Sequence, residues 1–393
     1  MQAIVLAAGR GTRMKPLSND VPKPMLSVAG RPIAAHTARA AVEAGVDELI
    51  FVVGHGQQTV REYFGSTYHG VPVTYVVQDE QQGTADAVHA AREFIDGPFA
   101  VFYGDNLYDT PSIASLFEVA PSVASVCVSN PSNYGVLNVS DGSVTGIVEK
   151  PDRPQNNLVN AGAYVFPEEA RDMLDVPPSE RGERELTDVL EQVISEHDVS
   201  PVGLDRWVDV GRPWELLEAN EWKLRTIERR IDGDVSDDAT IQGDVVIEEG
   251  ATVRCGSVVE GPAYIAAGAS VGPNAYIRGC SFVGPGVRVG HAVEIKNSVL
   301  LEGTNVGHLS YLGDSVVGRH VNFGAGTNVA NLRHGSEAIT VPVNGEPVST
   351  GRKKLGAIVG DNVKTGINTG LNAGVKLSEG TQTRPGETVA RGR

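Results

Sequence analysis

The chain has 393 residues, 41% of them hydrophobic and 6% aromatic, with 33 basic against 49 acidic side chains and a net charge of −16. That length exceeds one ordinary core, so two domains are expected, and the apolar content is globular rather than disordered. The acidic balance argues against nucleic acid or an anionic membrane as partner, and no run of about 18 apolar residues is present to span a bilayer.

In chain order, Gln2–Leu6 is a short apolar run followed at once by AAGRGTRM. Arg31–Ala44 has helical patterning, and a second apolar run, Glu48–Val53, closes on Gly54-His55-Gly56. Val73–Val77 is a third run, Thr84–Phe94 is predicted helical, and a fourth run, Phe99–Tyr103, ends at Gly104-Asp105. Strands alternating with helices predict an α/β, Rossmann-like, mostly parallel sheet with helices on both faces. Ligands bind such sheets beyond the carboxyl ends of the strands, so the loops after Leu6, Val77 and Tyr103 are the places to look. Further on, Pro213–Arg230 reads as one amphipathic helix with Leu216, Leu217, Ala219, Trp222 and Ile227 facing inward.

From Val235 to Leu301 an aliphatic residue then recurs at every sixth position, with a small or apolar side chain four residues after nearly every one. That period suits neither an α-helix nor an alternating strand; it suits a left-handed parallel β-helix with three hexapeptides to a coil. The register slips by one at Val306, resumes at Leu312, Val317, Phe323 and Val329, and returns at Val359, Thr365, Leu371 and Leu377 after a Gly-, Pro- and charge-rich insertion, Leu332–Ala357. The expected organisation is a first domain over 1–225, a linker helix over 213–231 and a β-helix over 232–393.

The first loop concentrates cations in an acidic chain. Gly9 and Gly11 let backbone approach an anion closely, Thr12 adds a hydroxyl, and Arg10, Arg13, Lys15 and Lys23 add positive charge, Lys23 being held between two prolines in VPKPM. A triphosphate needs such a cluster. GRGTRMKPLSNDVPKPM (Gly9–Met25) lacks the Gly-Lys-Ser/Thr of a Walker loop and resembles the sugar-phosphate nucleotidylyltransferases. QGTADA (Gln82–Ala87), YGDN (Tyr103–Asn106), Gly135, VEKP (Val148–Pro151), NAG (Asn160–Gly162) and WVDVG (Trp207–Gly211) follow in the family's order. In that chemistry a sugar 1-phosphate attacks the α-phosphorus of a nucleoside triphosphate and pyrophosphate leaves, so cations must flank the reacting phosphorus. The resemblance implies Mg2+ on Asp105 and Asp209, and Arg13 with the loop amides on the β- and γ-phosphates. It puts Lys23 at the α-phosphate and Leu6, Ala8, Gly9, Gly11, Thr12, Gln78, Gln82, Gly83 and Thr84 about the nucleotide. Tyr103, Gly135, Glu149, Lys150 and Asn160 fall to the sugar phosphate. Outside any family, Glu149 and Lys150 read first as a surface ion pair.

Two blocks of the β-helix, NVGHLSYLGD (Asn305–Asp314) and VNFGAGTNVANL (Val321–Leu332), resemble the acetyltransferase half of bifunctional enzymes that make UDP-N-acetylglucosamine. The resemblance implies acetyl-CoA as co-substrate and His308 as the base that deprotonates the sugar amine, a role suited to an imidazole. It also implies Arg278 and Lys296 on the sugar phosphate, Tyr311, Asn322 and Asn331 on the substrate, Ala325 along the coenzyme path, and a homotrimer. Leu332 stands where the family has an aromatic, Lys353 or Lys354 replaces a nearby family lysine, and Thr383–Pro385 does not match the coenzyme-binding end.

The leading expectation is therefore an enzyme that acetylates glucosamine 1-phosphate and then couples the product to UTP, with dTTP the second choice of nucleotide. A single-activity pyrophosphorylase with a structural β-helix and a non-catalytic nucleotide-sugar-binding subunit are the alternatives. The remaining histidines and the three cysteines have no metal spacing; the sparse cysteines and the stretch Met1–Ala8, apolar at once with no basic leader, favour a reducing, cytoplasmic setting. Only nine of the basic residues are Lys, and an acidic, Lys-poor surface suits concentrated salt.

Overall fold

The apolar runs of the first half become the central strands of one sheet. Gln2–Ala7, Glu48–Val53, Val71–Val77 and Phe99–Tyr103 are parallel neighbours. Leu158–Phe166 joins antiparallel beside Phe99–Tyr103, and Gly135–Ser140 and Ser143–Glu149 extend that edge. The computed structural model describes residues 1–393 apart from Arg10, Asp20, Glu180, Ser336 and Arg393. The chain forms two compact units, Met1–Arg10, Asp20–Leu26 and Pro32–Asp209 in one, Gly11–Asn19, Ser27–Arg31 and Val210–Arg393 in the other.

Strand alternation divides the first core in two. Ala3, Val5 and Phe51 pack with Ala34, Ala35 and Ala38 of the helix Ile33–Glu43, while Ile4, Ile50 and Val52 pack with Ala85, Ala87 and Val88 of the helix Thr84–Ala90. Both helices are shorter than their sequence patterns. Pro32 keeps Arg31 out of the helix and is itself extended (ψ 149°) as the N-cap, so the first begins at Ile33. The second gives way to a one-turn helix, Arg92–Phe94, because the amides of Ala91 and Phe94 bond carbonyls three residues back.

The second unit is a parallel β-helix of three parallel sheets. Each hexapeptide position stacks on its equivalent a coil later, as Ile247 does on Ile265 and Ile265 on Val283. The repeating aliphatics from Val235 to Ile295 line one continuous core. The shift of register, however, comes one repeat earlier than the sequence pattern: Leu300, not Leu301, stacks on Val283 and enters the core. The cause is a tighter corner, where Asn297 is left-handed (φ 46°) and the Ser298 hydroxyl bonds Lys296 O at 2.8 Å. The insertion leaves the stack intact, since Val317 pairs directly with Val359, and it carries a hairpin, Thr340–Val343 with Glu346–Ser349, turned by left-handed Asn344-Gly345.

The linker helix spans Pro213–Leu224 rather than reaching Arg230. After Leu224 the amides of Arg225, Thr226 and Ile227 bond carbonyls three back, the Thr226 hydroxyl bonds Lys223 O, and Arg230–Ile231 pairs with Val246–Ile247 as the first strand of a coil. Ile227 thus lies beyond the helix. Leu216, Leu217, Ala219 and Trp222 are buried as expected, joined by Asn220, which accepts from Ala29 N at 3.1 Å and donates to Cys280 O at 2.9 Å.

Candidate functional site

Lys23, Asp105 and Asp209 are distant in sequence and meet in the first unit. Asp105 follows the strand Phe99–Tyr103, whose end is pinned by the Gly104 amide on Leu6 O at 3.0 Å. A two-stranded antiparallel ladder pairs Tyr108 with Trp207, Leu107 with Val208 and Asn106 with Asp209, which delivers the second carboxylate beside the first. Lys23 opens a one-turn helix, flanked by Pro22 and Pro24, and is 5% exposed. Its ammonium lies 2.6 Å from Asp105 Oδ2 and 3.7 Å from Asp209 Oδ1. Two carboxylates converging on one cation suit Mg2+, which takes one or two carboxylates and fills its shell with water and phosphate oxygens. Among the described residues no cluster of three or more His, Cys, Asp or Glu forms a closed protein cage for a metal.

The residues expected at the sugar form a second group in the same unit. Gly135 pairs with Glu149 across the ladder, and a Cβ on Gly135 would stand 2.9 Å from Glu149 Oε2. Lys150 Nζ lies 3.1 Å from Glu149 Oε1, so the two do form an ion pair, and Arg181 approaches the same oxygen at 3.5 Å. Asn160 is buried, donates to the Tyr164 hydroxyl at 2.5 Å and accepts from Gly162 N at 2.9 Å. Gly162 is obligatory: φ is 75° and a Cβ would drive into the Tyr103 ring at 2.5 Å. Enclosure pushes the Tyr103 phenol well above its ordinary pKa, with Tyr164 the next cause, so it remains a neutral hydroxyl.

Around the base loop, Gln78 is buried and its amide donates to Asp86 Oδ2 at 2.6 Å and to Gly83 O at 3.3 Å. Thr84 Oγ1 accepts from Leu186 N at 2.8 Å, and Gln82 is exposed. Ala8 O accepts from Gln81 at 2.5 Å, and Leu6 is in register with Tyr103. Leu6, Ala8 and Gly9 belong to the first unit, whereas Gly11, Thr12 and Arg13 belong to the second. There Gly11 is left-handed and its carbonyl is held by Ser18 Oγ at 2.8 Å, while Thr12, Arg13, Lys15 and Lys376 line a cavity of about 550 Å3. Arg10 lies outside the described residues.

On the β-helix, Arg278, Lys296 and Gly313 occupy one column, and Lys296, Tyr311 and Asn331 come together beside it. Lys296 Nζ is 3.0 Å from Asp314 Oδ2, and Asn331 Nδ2 donates to Asp314 and, at 3.2 Å, to the Tyr311 hydroxyl. Arg278 is paired with Glu294 at 2.7 Å. A side chain at Gly313 would meet the Tyr311 hydroxyl and Asn331, so only a glycine lets these two groups close over the column. His308 is exposed on a different strand, in register with His291 one coil earlier. Its carbonyl accepts from Gly326 N, which aligns Ala325 with it on the next coil. Asn322 stands apart from the Lys296 group, accepting from Asn305 Nδ2 at 2.7 Å. Lys353 and Lys354 are exposed, and the Thr383 hydroxyl is tied to Gly366 N and Thr369.

Sequence reasoning missed the partners that hold these groups: Asp86 behind Gln78, Tyr164 behind Asn160, Arg181 beside Glu149, and Asp314 behind Lys296. Asp314 and Asp86 had a visible signal, because Asp314 closes the motif that contains His308 and Asp86 lies within QGTADA.

Fold and site together define a nucleotidyltransferase-type α/β unit followed by a hexapeptide β-helix. Residues 2–225 match the Nucleotidyl transferase family and residues 259–379 the GMPPB C-terminal domain. A bifunctional protein GlmU of Methanococcus maripaludis is 44% identical over 96% of this chain and 92% of its own. A bifunctional sugar-1-phosphate nucleotidylyltransferase/acetyltransferase of Sulfurisphaera tokodaii is 36% identical over 100% and 98%. A solved UDP-glucose pyrophosphorylase complexed with UDP-glucose has the first unit's fold, with TM-score 0.53 and 24% identity over 57% of this chain and 98% of that one. The chain belongs to the Nucleotidyl transferase family and is an enzyme.

Proposed function

We propose that this protein makes UDP-N-acetylglucosamine in two steps, acetyl transfer from acetyl-CoA to glucosamine 1-phosphate and then uridylyl transfer from UTP with release of pyrophosphate. The observation that carries the reading is one chain bearing two separate groups of side chains, Lys23–Asp105–Asp209 and Lys296–Tyr311–Asn331, each within a unit of the fitting fold, the second also bearing His308. The near full-length likeness to relatives named as bifunctional supports it.

In uridylyl transfer the sugar phosphate oxygen attacks the α-phosphorus and the bond to the β-phosphate oxygen breaks. Asp105 and Asp209 would hold Mg2+, which supplies positive charge to the phosphate oxygens when bound. Lys23, already aligned by both carboxylates, sets a fixed charge at the α-phosphate. Gly135, Glu149 and Asn160 orient the sugar, with Lys150 against its phosphate. In acetyl transfer the sugar amine attacks the thioester carbonyl, His308 accepts the amine proton, and the C–S bond breaks to release coenzyme A. Arg278 and Lys296 hold the phosphate, and Ala325, aligned with His308, borders the acetyl donor.

We assign a homotrimer through the β-helix. Leu309 beside His308 is 64% exposed, and Ile367, in the column of His308 and Ala325, is 54% exposed, apolar corners that a second copy would cover. Among the described residues no helix is long and apolar enough to cross a membrane, and we place the reactions in the cytoplasm, with acetyl-CoA and UTP. Replacing His308 with Ala should cut acetyl transfer by roughly 10²–10⁴ and leave uridylyl transfer untouched; loss of both together would contradict two independent sites.

A further inference from the structure

Asp314 is a carboxylate in an unusual place. It occupies a corner of the β-helix with left-handed backbone (φ 48°), directly after Asn297 (φ 46°) and Gly279 (φ 64°) in the same column. Such corners take Gly or Asn by default. Asp314 is only 3% exposed, a costly position for a charge unless it is paired and hydrogen-bonded. It is both. Oδ2 accepts from Lys296 Nζ at 3.0 Å and from Asn331 Nδ2, and Oδ1 accepts from Asn297 Nδ2 at 2.8 Å.

The chain of contacts continues outward. The same Asn297 nitrogen donates to Glu221 Oε1 at 2.8 Å, and Glu221, on the helix Pro213–Leu224, receives the Arg352 guanidinium from the insertion. Three segments of the second unit are thereby tied to two carboxylates, and the network ends on Lys296, assigned to the amino-sugar phosphate, and Asn331, assigned to the substrate.

We propose that Asp314 and Glu221 are positioning residues for acetyl transfer, fixing Lys296 and Asn331 before the sugar phosphate arrives. The proposal rests on the acetyltransferase reading above. A lysine ammonium has three donors, so one bond to Asp314 orients it and leaves two for a phosphate. A free lysine would have to give up its rotamer freedom on binding; one held in advance does not. An amide at position 314 would turn its own NH2 toward donors and lose the charge that holds Lys296.

The test uses the full-length chain. Asp314→Asn should raise the KM for glucosamine 1-phosphate and lower kcat/KM for acetyl transfer about 10- to 100-fold, with the KM for acetyl-CoA and pyrophosphate release unchanged. Asp314→Glu should recover part of the loss. Glu221→Gln, remote from substrate, should act in the same direction about threefold or more, and it decides the matter if the position-314 variants do not fold. A wild-type KM for the sugar phosphate in Asp314→Asn or in Glu221→Gln overturns the proposal, as does an equal loss of both activities. If the wild type consumes no acetyl-CoA, the acetyltransferase reading itself falls. Calorimetric titration with glucosamine 1-phosphate then tests the positioning alone: weaker binding to Asp314→Asn supports it, and equal binding refutes it.

Discussion

Lys23 serves two carboxylates at once, which makes its removal informative in two ways. Lys23→Met should lower pyrophosphate release by about 10²–10³, the usual cost of losing one pre-aligned charge in a water-poor site. It also leaves Asp105 and Asp209 facing each other without a cation, and like charges sharing a site repel. The variant should therefore melt lower than wild type without metal and be raised more by Mg2+, a difference that thermal melts read directly. Asp105→Ala should abolish pyrophosphate release with the fold intact; turnover above about 10% of wild type would remove Asp105 from the metal role. The tyrosines give a pH signature. Burial raises the Tyr164 phenol above its ordinary value of 10.0 in the folded protein, so the unfolded chain ionises first. Stability from this group is complete below about pH 10 and is lost as pH rises through the folded value. Melting curves across alkaline pH should fall less steeply for Tyr164→Phe. Lys23, Asp105 and Asp209 were legible because each sits in a motif. The roles of Asp86, although it sits in QGTADA, and of Tyr164 were not, because what makes them matter is a partner fixed by loop closure and by an irregular strand at Gly162.

At the scale of elements, the period of six was enough to give the β-helix, since it records which side chains must enter the core. It misplaced the tightened corner for a plain reason: Leu300 and Leu301 are both aliphatic, so the pattern cannot choose between them, and the choice falls to the backbone at Asn297. The linker helix was overextended because polar and apolar residues continue to alternate suitably to Arg230, while the turn that ends it is closed by backbone and Thr226 bonds. Core positions of the stack have no slack. Ile277, fully buried between Val259 and Ile295, should cost about 2–5 kcal/mol when cut to Ala, read as a drop in denaturant midpoint. Unchanged stability would mean that the coil does not pack as described.

For the molecule as a whole, charge and bifunctionality are the governing facts. A net charge of −16 with nine lysines predicts that activity persists or rises as KCl is increased; best activity in dilute buffer would count against a salt-adapted surface. On this reading one polypeptide carries two chemically independent sites. This is tested most directly by supplying the purified chain with glucosamine 1-phosphate, acetyl-CoA, UTP and Mg2+, following free thiol and pyrophosphate together in wild type, Asp105→Ala and His308→Ala. Wild type should give both products, Asp105→Ala thiol without pyrophosphate, and His308→Ala, with N-acetylglucosamine 1-phosphate supplied, pyrophosphate without thiol. Pyrophosphate release with no thiol from wild type under any of these conditions would contradict the reading.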